Sequence, residues 1–318
     1  YSSKTGEDPL KYKKREDGNI MKKRAVSVML TAAMVSAMLA GCGSKNAETQ
    51  SAADTTAESA VSGDETSADT QAADAETTDA ETTDASKTDG TFTVGFDQDF
   101  PPMGFVGDDG EFTGFDLEMA AEVAKRLNLM IAYQPIAWDA KDMELDAGTI
   151  DCIWNGFTMN GREDDYEWSK PYMKNNQVFV VRGDSDINSE ADLAGKNVEV
   201  QTDSSAEAAL NDNSELTSTF GSLTPVADYN TAFMDLESGA VDAIAMDDVV
   251  ASYQITSRKA DFKVLDDVIA AEEYGIGFKK GNTGLRDKVQ ATLEEMAADG
   301  TAAKISEKWF GKDITTIQ

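Results

Sequence analysis

The stretch DLEMAAEVAKRLNL, residues 116–129, decides the fold class of this 318-residue chain. Apolar residues recur along it at helical spacing and predict a helix with one buried face, made of Leu117, Ala120, Ala121, Ala124 and Leu127. Asp116 stands where a helix N-cap is expected. Strand-like stretches flank the helix, TFTVGF at 91–96 and MIAYQ at 130–134. A helix between two strands predicts an α/β layer architecture.

The alternation of strands and helices continues in two units. The first unit goes on with a helix near 140–147, a buried strand that begins at Ile150 and a long strand at 176–183. A second unit repeats the pattern, with strands at 197–201, 224–229, 241–247 and 263–267 and helices at 205–212, 231–239 and 247–257. A second long strand at 273–281 leads into two closing helices, which we expect to return and pack on the first unit.

The N-terminal part has the pattern of an exported lipoprotein. A basic KKR triplet precedes an uncharged run at 25–40, shorter than the roughly 20 residues of a spanning helix, so residues 21–41 predict a signal peptide. Residues 1–20 fit no signal peptide and are interpreted as an upstream extension. The LAGC stretch ending at Cys42 resembles the lipobox of bacterial lipoproteins, which implies an acylated thiol and anchoring to the outer face of the cell membrane. A chance cysteine at an ordinary cleavage site is the alternative.

Residues 42–89 predict a tether rather than a folded segment. After Cys42 this stretch consists mainly of Ala, Ser, Thr, Asp and Glu and contains no aromatic residue. Such a composition cannot bury enough apolar surface to offset the entropy lost on ordering. We therefore expect a disordered acidic tether, stretched by its like charges.

Charge and composition exclude several classes of function. The 28 Lys and Arg against 59 Asp and Glu give a formal net charge of -31, which repels nucleic acid. The absence of histidine excludes Ser-His-Asp triads and zinc sites built on imidazole.

Cys42 and Cys152 lie in such different contexts that we expect no disulfide. The acidic stretch at 184–195 lacks the residues of an EF-hand, and no phosphate-binding loop occurs, so we predict no metal and no cofactor.

Four motifs occur in order along the chain: GFDLEMAAEVAKRL at 114–127, IDCIWNGFTMNGREDDYEWSKPY at 150–172, AVDAIAMDD at 240–248 and EKWFG at 307–311. Through them, residues 91–313 resemble the amino-acid-binding subunits of bacterial ABC importers, the extracellular solute-binding proteins of family 3. The resemblance implies an α/β, two-lobed, periplasmic-binding-protein-like type II fold, with mixed sheets flanked by helices and two hinge strands between the lobes.

The resemblance also implies an organisation and a set of partners. Lobe 1 is expected at 90–181 plus 276–318, and lobe 2 at 182–275. A protein of this family delivers an amino acid to an ABC permease and its ATPase subunits. We expect a monomer whose only contact with the membrane is its lipid anchor.

The main-chain groups of a free amino acid define the first set of site residues. A carboxylate needs convergent donors, and the resemblance assigns this role to Arg162, assisted by Ser204 and Ser205 at a helix start. The ammonium needs acceptors, which the resemblance places at Asp247, with the Gly156 carbonyl and the Thr158 hydroxyl. Without the resemblance, Arg162 would be interpreted as one partner of a surface salt bridge. Ser204 and Ser205 would be interpreted as helix caps.

A second set of residues is expected around the ligand side chain: Asp97, Phe100, Trp138, Gln201 and Met246. The resemblance places Phe100 and Trp138 on either side of the ligand, although alone they would read as core residues. A carboxylate at Asp97 favours amide or cationic side chains over acidic ones. Glutamine, arginine and lysine are therefore favoured, and cystine also fits.

One departure from the family pattern and two other readings stay open. The MNG stretch between Thr158 and Arg162 is one residue shorter than in many relatives, and Gly161 supplies the permissive backbone that a tighter turn requires.

Some proteins of the fold are dehydratases of cyclohexadienyl acids such as arogenate, in which a cleft carboxylate like Asp97 or Asp99 acts as the acid. A ligand-sensing domain is the third reading. We expect a binding protein and no enzyme.

Overall fold

The computed structural model describes residues 90–318. The predicted signal peptide, the lipidation residue Cys42 and the predicted tether lie outside the described residues. No helix in the described part has both the length and the apolar character needed to cross a membrane.

The first elements alternate strands with helices, as the sequence predicted. In chain order they are β1 (Thr91–Phe96), β2 (Asp99–Phe100), β3 (Gly104–Val106), β4 (Phe112–Thr113), α1 (Phe115–Arg126), β5 (Met130–Pro135), α2 (Lys141–Ala147), β6 (Cys152–Thr158), β7 (Glu167–Trp168) and β8 (Met173–Arg182). Strand β1 pairs in parallel with both β5 and β6. Strands β2, β3 and β4 form a small separate sheet.

The remaining elements repeat the alternation and then close the chain. They are β9 (Asn197–Gln201), α3 (Ser205–Asp212), α4 (Ser214–Thr217), β10 (Ser222–Val226), α5 (Tyr229–Ser238), β11 (Ala243–Asp247), α6 (Asp248–Arg258), β12 (Phe262–Phe278), α7 (Thr283–Ala298) and α8 (Thr301–Phe310). Strand β9 pairs in parallel with β10 and β11. These elements agree with the second predicted unit.

The long strands β8 and β12 join two groups of parallel strands. The strand order is β10-β9-β11-β8-β12-β6-β1-β5, with β7 beside β12. β8 and β12 run antiparallel to each other, and each also pairs antiparallel with one of the flanking groups. Helices cover the sheet, so the predicted mixed α/β class is confirmed.

Strand β12 is longer than the sequence analysis expected. Separate strands were predicted at 263–267 and 273–281, whereas a single strand of 17 residues spans Phe262–Phe278. Its register against β8 shifts between Val264 and Val268 and again between Val268 and Ala270. These irregularities begin within the first predicted strand and extend to Ala270, inside the gap that the sequence analysis placed between the two strands.

The core confirms the return of the chain end and most of the predicted buried face of α1, although Ala121 and Leu127 are only partly buried. Leu117, Ala120 and Ala124 are almost completely buried. Helices α7 and α8 pack on α1, and an ion pair of 2.8 Å joins Arg126 to Asp299. The last helices therefore complete the first unit, as predicted.

The prediction that Asp116 caps α1 is wrong. The N-cap is Gly114, whose φ of 145° and whose contact with the Met103 carbonyl leave no room for a side chain. Asp116 is completely buried, and its Oδ2 accepts hydrogen bonds from the backbone N–H of Gly156 (2.6 Å) and the hydroxyl of Tyr172 (2.9 Å). Burial raises the pKa of Asp116 to about 7. The carboxyl group thus holds the β6 backbone from behind instead of closing the helix end.

Candidate functional site

A cleft lies where β1, β6, β9 and β11 end, and its empty space, including the part that is open to solvent, is about 290 Å³. We call this cleft the cavity. It is lined by Asp97, Phe100, Trp138, Asn155, Gly156, Thr158, Arg162, Gln201, Ser204, Ser205 and Asp247. Residues from distant parts of the sequence are therefore brought together at strand ends, which is where α/β proteins bind ligands. We call the part around Asp247 the acidic side, the part around Arg162 the basic side, and the part around Asp97 the distal end.

The acidic side is built on buried strand ends. Asp247 is the last residue of β11 and only 4% exposed. Its Oδ1 accepts hydrogen bonds from the amide of Asn175, on β8, at 2.8 Å and from the hydroxyl of Tyr274, on β12. Burial raises the pKa of Asp247 well above its usual range, and the neighbouring Glu272 carboxyl raises it further. A cation in the cavity would relieve this unfavourable burial of charge.

Gly156 lets the β6 backbone form part of the cavity wall. Its φ is 58°, and a Cβ there would meet the rings of Tyr274 and Phe100 at 3.1–3.2 Å. Its N–H is held by Asp116 behind the strand. The next lining residue, Thr158, donates its hydroxyl to Ser205 Oγ at 3.1 Å, which joins β6 to the start of α3.

The basic side depends on one arginine in a turn. Arg162 is partly buried, and its guanidinium lies 5.3 Å from the centre of the Phe157 ring. The guanidinium donates to the carbonyl oxygens of Thr158 (3.4 Å) and Asp203 (3.2 Å). Gly161 has the positive φ of 79° that the shortened loop was expected to require. The turn thus presents an always-charged planar donor to the cavity.

The start of α3 supplies further donors on the basic side. Ser204 is the N-cap of α3, and its hydroxyl accepts from the backbone N–H of Glu207 at 3.1 Å. Ser205 Oγ accepts from Thr158 and from the amide of Gln177 at 3.0 Å. The positive end of the helix dipole and these hydroxyls favour an anion.

The distal end carries a second buried carboxyl group. Asp97 is 6% exposed, and it accepts from the Gln201 amide at 2.6 Å and from the backbone N–H of Asp99 at 2.8 Å. Burial raises the pKa of Asp97 to about 6, with smaller contributions from the charges of Asp99 and Asp228. The Asp97–Gln201 hydrogen bond also joins the residue that follows β1 to the last residue of β9.

Two aromatic side chains flank the cavity as predicted. Trp138 packs edge to face on Phe157, with 5.4 Å between ring centres. Phe100 lies 6.0 Å from the ring of Tyr229. Phe100 is 6% exposed and Trp138 8% exposed, so each is mostly packed although it lines the cavity.

Met246 is placed differently from the other predicted residues. It is completely buried in the hydrophobic core and does not line the cavity. Successive strand residues point to opposite faces, so the neighbour of a cavity-facing Asp247 points away. The position of Met246 does not support a ligand contact.

Asn155 lines the cavity and was missed by the sequence analysis. Its Oδ1 accepts from the backbone N–H of Asp97 at 3.0 Å, and its side chain is 1% exposed. It was read as part of the buried strand that begins at Ile150. An amide in an otherwise apolar strand was a signal available in the sequence.

A buried lysine links the two sides of the cleft beside the cavity. The ammonium group of Lys141, at the start of α2, forms an ion pair with the Asp203 carboxylate, next to α3. The Lys141 side chain is 2% exposed, whereas that of Asp203 is 51% exposed. Asp203 also accepts from Arg162 through its carbonyl oxygen. We call this Lys141–Asp203 ion pair the latch. No pattern in the sequence indicated it.

Among residues 90–318, no group of three or more histidine, cysteine or carboxylate side chains is arranged to hold a metal ion. Cys152 is buried and unpaired, and burial raises the pKa of its thiol. What the cavity does offer is a guanidinium with hydroxyls on one side and carboxyl groups on the other. This arrangement suits a small molecule that carries both charges.

Comparison with known proteins agrees with this geometry. The model of the family described as bacterial extracellular solute-binding proteins, family 3, matches residues 92–312. The L-cystine-binding protein TcyJ of Escherichia coli (strain K12) is 34% identical over 228 residues, which cover 71% of this chain and 84% of that protein. The L-cystine-binding protein TcyA of Bacillus subtilis (strain 168) is 32% identical, covering 70% and 82%.

The solved structures extend this likeness to the fold. An ABC uptake transporter substrate-binding protein from Streptococcus pneumoniae, with bound histidine, superposes with a TM-score of 0.70. It is 34% identical, and the match covers 71% of this chain and 95% of that one. The structural neighbours are two-lobed amino-acid-binding proteins, which confirms the predicted two-lobed fold class.

Proposed function

The chain belongs to the bacterial extracellular solute-binding proteins of family 3, and from this membership we propose that it binds a polar L-amino acid between its lobes and delivers it to an ABC permease. Function then resides in ligand-dependent closure, and no covalent bond is broken. Similar proteins are named as binding proteins, so the dehydratase alternative is not favoured.

The observation that carries the proposal is that Arg162 and Asp247 both line the same cavity. Arg162, Ser204 and Ser205 would hold the ligand carboxylate. Asp247, Thr158 and the carbonyl of Gly156 would hold its ammonium. Charge-assisted hydrogen bonds contribute about 1.5–3 kcal/mol each. After the costs of closure and desolvation, micromolar affinity of about -8 kcal/mol is a reasonable outcome.

The distal end supports a ligand with a cationic or amide side chain. Asp97 and Gln201 offer hydrogen-bond acceptors there, and Trp138 suits a stacked guanidinium. An acidic side chain would meet the carboxyl of Asp97 in a desolvated cavity. We therefore propose arginine, lysine or glutamine as the ligand class.

L-cystine is the second candidate. Beyond Asp97 and Trp138 lies a further open space of about 710 Å³, also lined by Asp99 and Asp228. It could take the second half of a long ligand, including its second ammonium group. The relatives TcyJ and TcyA are named as L-cystine-binding proteins, which supports the same choice.

Closure is supported by contacts that cross the cleft. We propose lobe 1 at 90–181 plus 276–318 and lobe 2 at 182–275, joined through β8 and β12. The latch, the Asp97–Gln201 hydrogen bond and the Thr158–Ser205 hydrogen bond then all connect lobe 1 with lobe 2. They stabilise the closed form.

We also propose an anchored monomer on the outer face of the cell membrane. The support is the LAGC lipobox pattern ending at Cys42, the preceding apolar run and the acidic tether. Two or three acyl chains would hold the protein firmly, because each buried methylene contributes about 0.8 kcal/mol. Incorporation of labelled palmitate that is lost in Cys42→Ser would support the anchor, and labelling that persists would contradict it.

The test of the function is a thermal-shift screen of the twenty amino acids plus L-cystine, followed by calorimetry on the hits. A ligand that binds the folded form raises its melting temperature. Arg162→Ala should abolish calorimetric binding of every hit. Lys125→Ala, which removes a positive charge from an exposed site on α1, is the matched control and should bind normally.

Two outcomes would overturn the proposal. If no amino acid shifts the melting temperature, the binding function is wrong. If affinity survives Arg162→Ala within a few-fold, the carboxylate assignment is wrong. Formation of an aromatic product from prephenate or arogenate would favour the dehydratase instead.

A further inference from the structure

A second buried carboxyl group stands directly behind the acidic side. Glu272, on β12, is 5% exposed, and Asp247 is 4% exposed. The same nitrogen, Asn175 Nδ2, donates to Asp247 Oδ1 at 2.8 Å and to Glu272 Oε1 at 2.6 Å. Asp247 lines the cavity and Glu272 does not, so Glu272 can reach a bound ligand only through Asp247.

Polar contacts continue from this pair to the basic side. Gln177 Nε2 donates to Glu272 Oε1 at 2.8 Å and to Ser205 Oγ at 3.0 Å. Asn175 and Gln177 lie on β8, and Glu272 lies on β12. The pair is therefore held by both long strands that join the lobes, and it is connected to the start of α3.

The surroundings of the pair contain no balancing cation. Within residues 90–318, neither Asp247 nor Glu272 forms an ion pair with a lysine or arginine. The titratable groups that face the pair from the packed elements are Tyr274 on β12, Tyr229 on α5 and Asp248 on α6. Asparagine and glutamine amides come from β8 and a serine hydroxyl from α3. None of these groups carries a positive charge.

Two ionised carboxylates cannot lie together in such surroundings at low cost. Like charges in a desolvated site repel strongly, and one group responds by keeping its proton. Burial and then the charge of Glu272 raise the pKa of Asp247 well above its usual range. The two carboxyl groups are close neighbours, because Asp247 Oδ1 and Glu272 Oε1 both accept from the same nitrogen of Asn175.

We propose that Asp247 and Glu272 share one proton in the ligand-free protein, and that the ammonium group of the bound amino acid takes its place. The proton leaves to solvent, and the single positive charge of the ammonium group replaces it, so the net charge of the pair and its bound cation stays at one negative charge. Glu272 acts through Asp247 and is a positioning residue. This inference rests on the proposed function, because it requires a ligand with an ammonium group.

The proposal gives the sign of a pH effect. If binding releases a proton, affinity rises with pH, by up to about tenfold per pH unit while the pair still holds its proton. Asp97 also titrates near the cavity, with a pKa of about 6. Any protons that Asp97 releases on ligand binding are released in both the wild type and Glu272→Gln. The difference in proton release between the two proteins therefore does not include Asp97.

The test is calorimetry with L-arginine and L-cystine in two buffers of different ionisation enthalpy, between about pH 6 and about pH 8. In the wild-type protein we expect release of about one proton per ligand. In Glu272→Gln, which keeps an acceptor for both amides, we expect less than half of that and a flatter pH profile. The loss of affinity in this variant should therefore grow as the pH rises.

Glu199→Gln is the matched control for this measurement. Glu199 is a buried acid on β9 whose pKa is raised to about 7 by burial and by Asp235, and it does not line the cavity. It should leave proton release unchanged. Equal proton release in the wild type and in Glu272→Gln would overturn the proposal.

A measurement without ligand separates this proposal from the proposed function. Infrared spectra of the ligand-free protein, recorded from about pH 6 to about pH 8, should show a protonated carboxyl band that is lost in Asp247→Asn and reduced in Glu272→Gln. If this band is absent from the wild type, the shared proton does not exist, whatever the protein binds. If the band is present and no amino acid binds, the proposed function fails and the shared proton stands.

Discussion

The acidic and basic sides of the cavity are built in different ways. Asp247 ends an interior strand, is 4% exposed and is held by side chains from both long strands. Arg162 lies in a turn, is only partly buried and bonds to carbonyl oxygens at 3.2–3.4 Å. The acidic side is therefore fixed by the fold, whereas the basic side depends on the turn and on the approach of Asp203.

This difference has a physical reason. A buried carboxylate is costly unless its partners are in place, so it needs a rigid frame. A guanidinium keeps its charge in any surroundings and can stay near solvent until the ligand arrives. We expect loss of the Asp247 carboxylate to have a larger effect than replacement of the Arg162 guanidinium by an ammonium group, and the predictions below test this order.

Asp247→Ala carries the largest expected effect. Loss of one partner of a buried charge pair costs about 2–5 kcal/mol, so affinity for the amino acid that binds should fall about 30-fold to several thousandfold. Calorimetry measures this loss. Asp248→Ala removes the adjacent carboxylate, which does not line the cavity, and should change affinity only a few-fold. Equal losses in the two variants would contradict the assignment of Asp247.

Arg162→Lys tests the basic side with the charge retained. Lysine cannot bond both carboxylate oxygens in a plane, so one charge-assisted hydrogen bond of about 1.5–3 kcal/mol is lost. We expect affinity to fall about 10-fold to 100-fold by calorimetry. Affinity within twofold of the wild type would show that the guanidinium geometry is not used.

Lys141→Met tests the latch and should have a smaller effect. Methionine keeps the apolar stem in place but removes the ion pair with Asp203, which is half-exposed and contributes at most about 1 kcal/mol. Stopped-flow measurements should show ligand dissociation about fivefold faster, because the closed form is less stable. Lys125→Met is the control on an exposed surface. Unchanged dissociation in Lys141→Met would exclude a role for the latch in closure.

The pH dependence of stability should show the smallest effect. The pKa values of Asp97, Asp116 and Glu199 are raised by burial to about 6, 7 and 7. The folded state therefore binds more protons than the unfolded state between their ordinary and raised values, so stability falls as pH rises through this window. Calorimetric scans of the ligand-free protein should give a melting temperature a few degrees higher at about pH 5.5 than at about pH 7.5. The opposite slope would contradict the burial of these groups.

Local patterns were enough to predict most of the fold. Helical spacing at 116–129 and short apolar strands gave the alternating elements, and the structure confirms them. The resemblance to a family, rather than spacing, pointed to the residues that now line one cavity. The alternation of side chains along a strand could have excluded Met246 from that set. Met246 and Asp247 are neighbours on one strand, so only one of them can face the cavity.

The features that could not be predicted depend on distant partners. The latch joins residues 62 positions apart, and a lysine at a helix start ordinarily faces solvent. Glu272 meets Asp247 only because β8 brings Asn175 between them. Asp116 looked like a cap because its bond to Gly156 spans 40 residues. Tertiary contacts of this kind leave no local signature.

The pairing of β8 with β12 indicates which segment of the chain could be exchanged for that of a relative. Arg182 and Phe262 are direct partners in the β8–β12 pair, and the N–H of Gly183 donates to the Asp261 carbonyl at 2.6 Å. The segment between them carries β9, β10 and β11, and both of its ends lie at one point of the β8–β12 pair. Residues 183–261 therefore form a segment whose two ends meet, so a related segment of different length could replace it if its strand kept the pairing of β11 with β8.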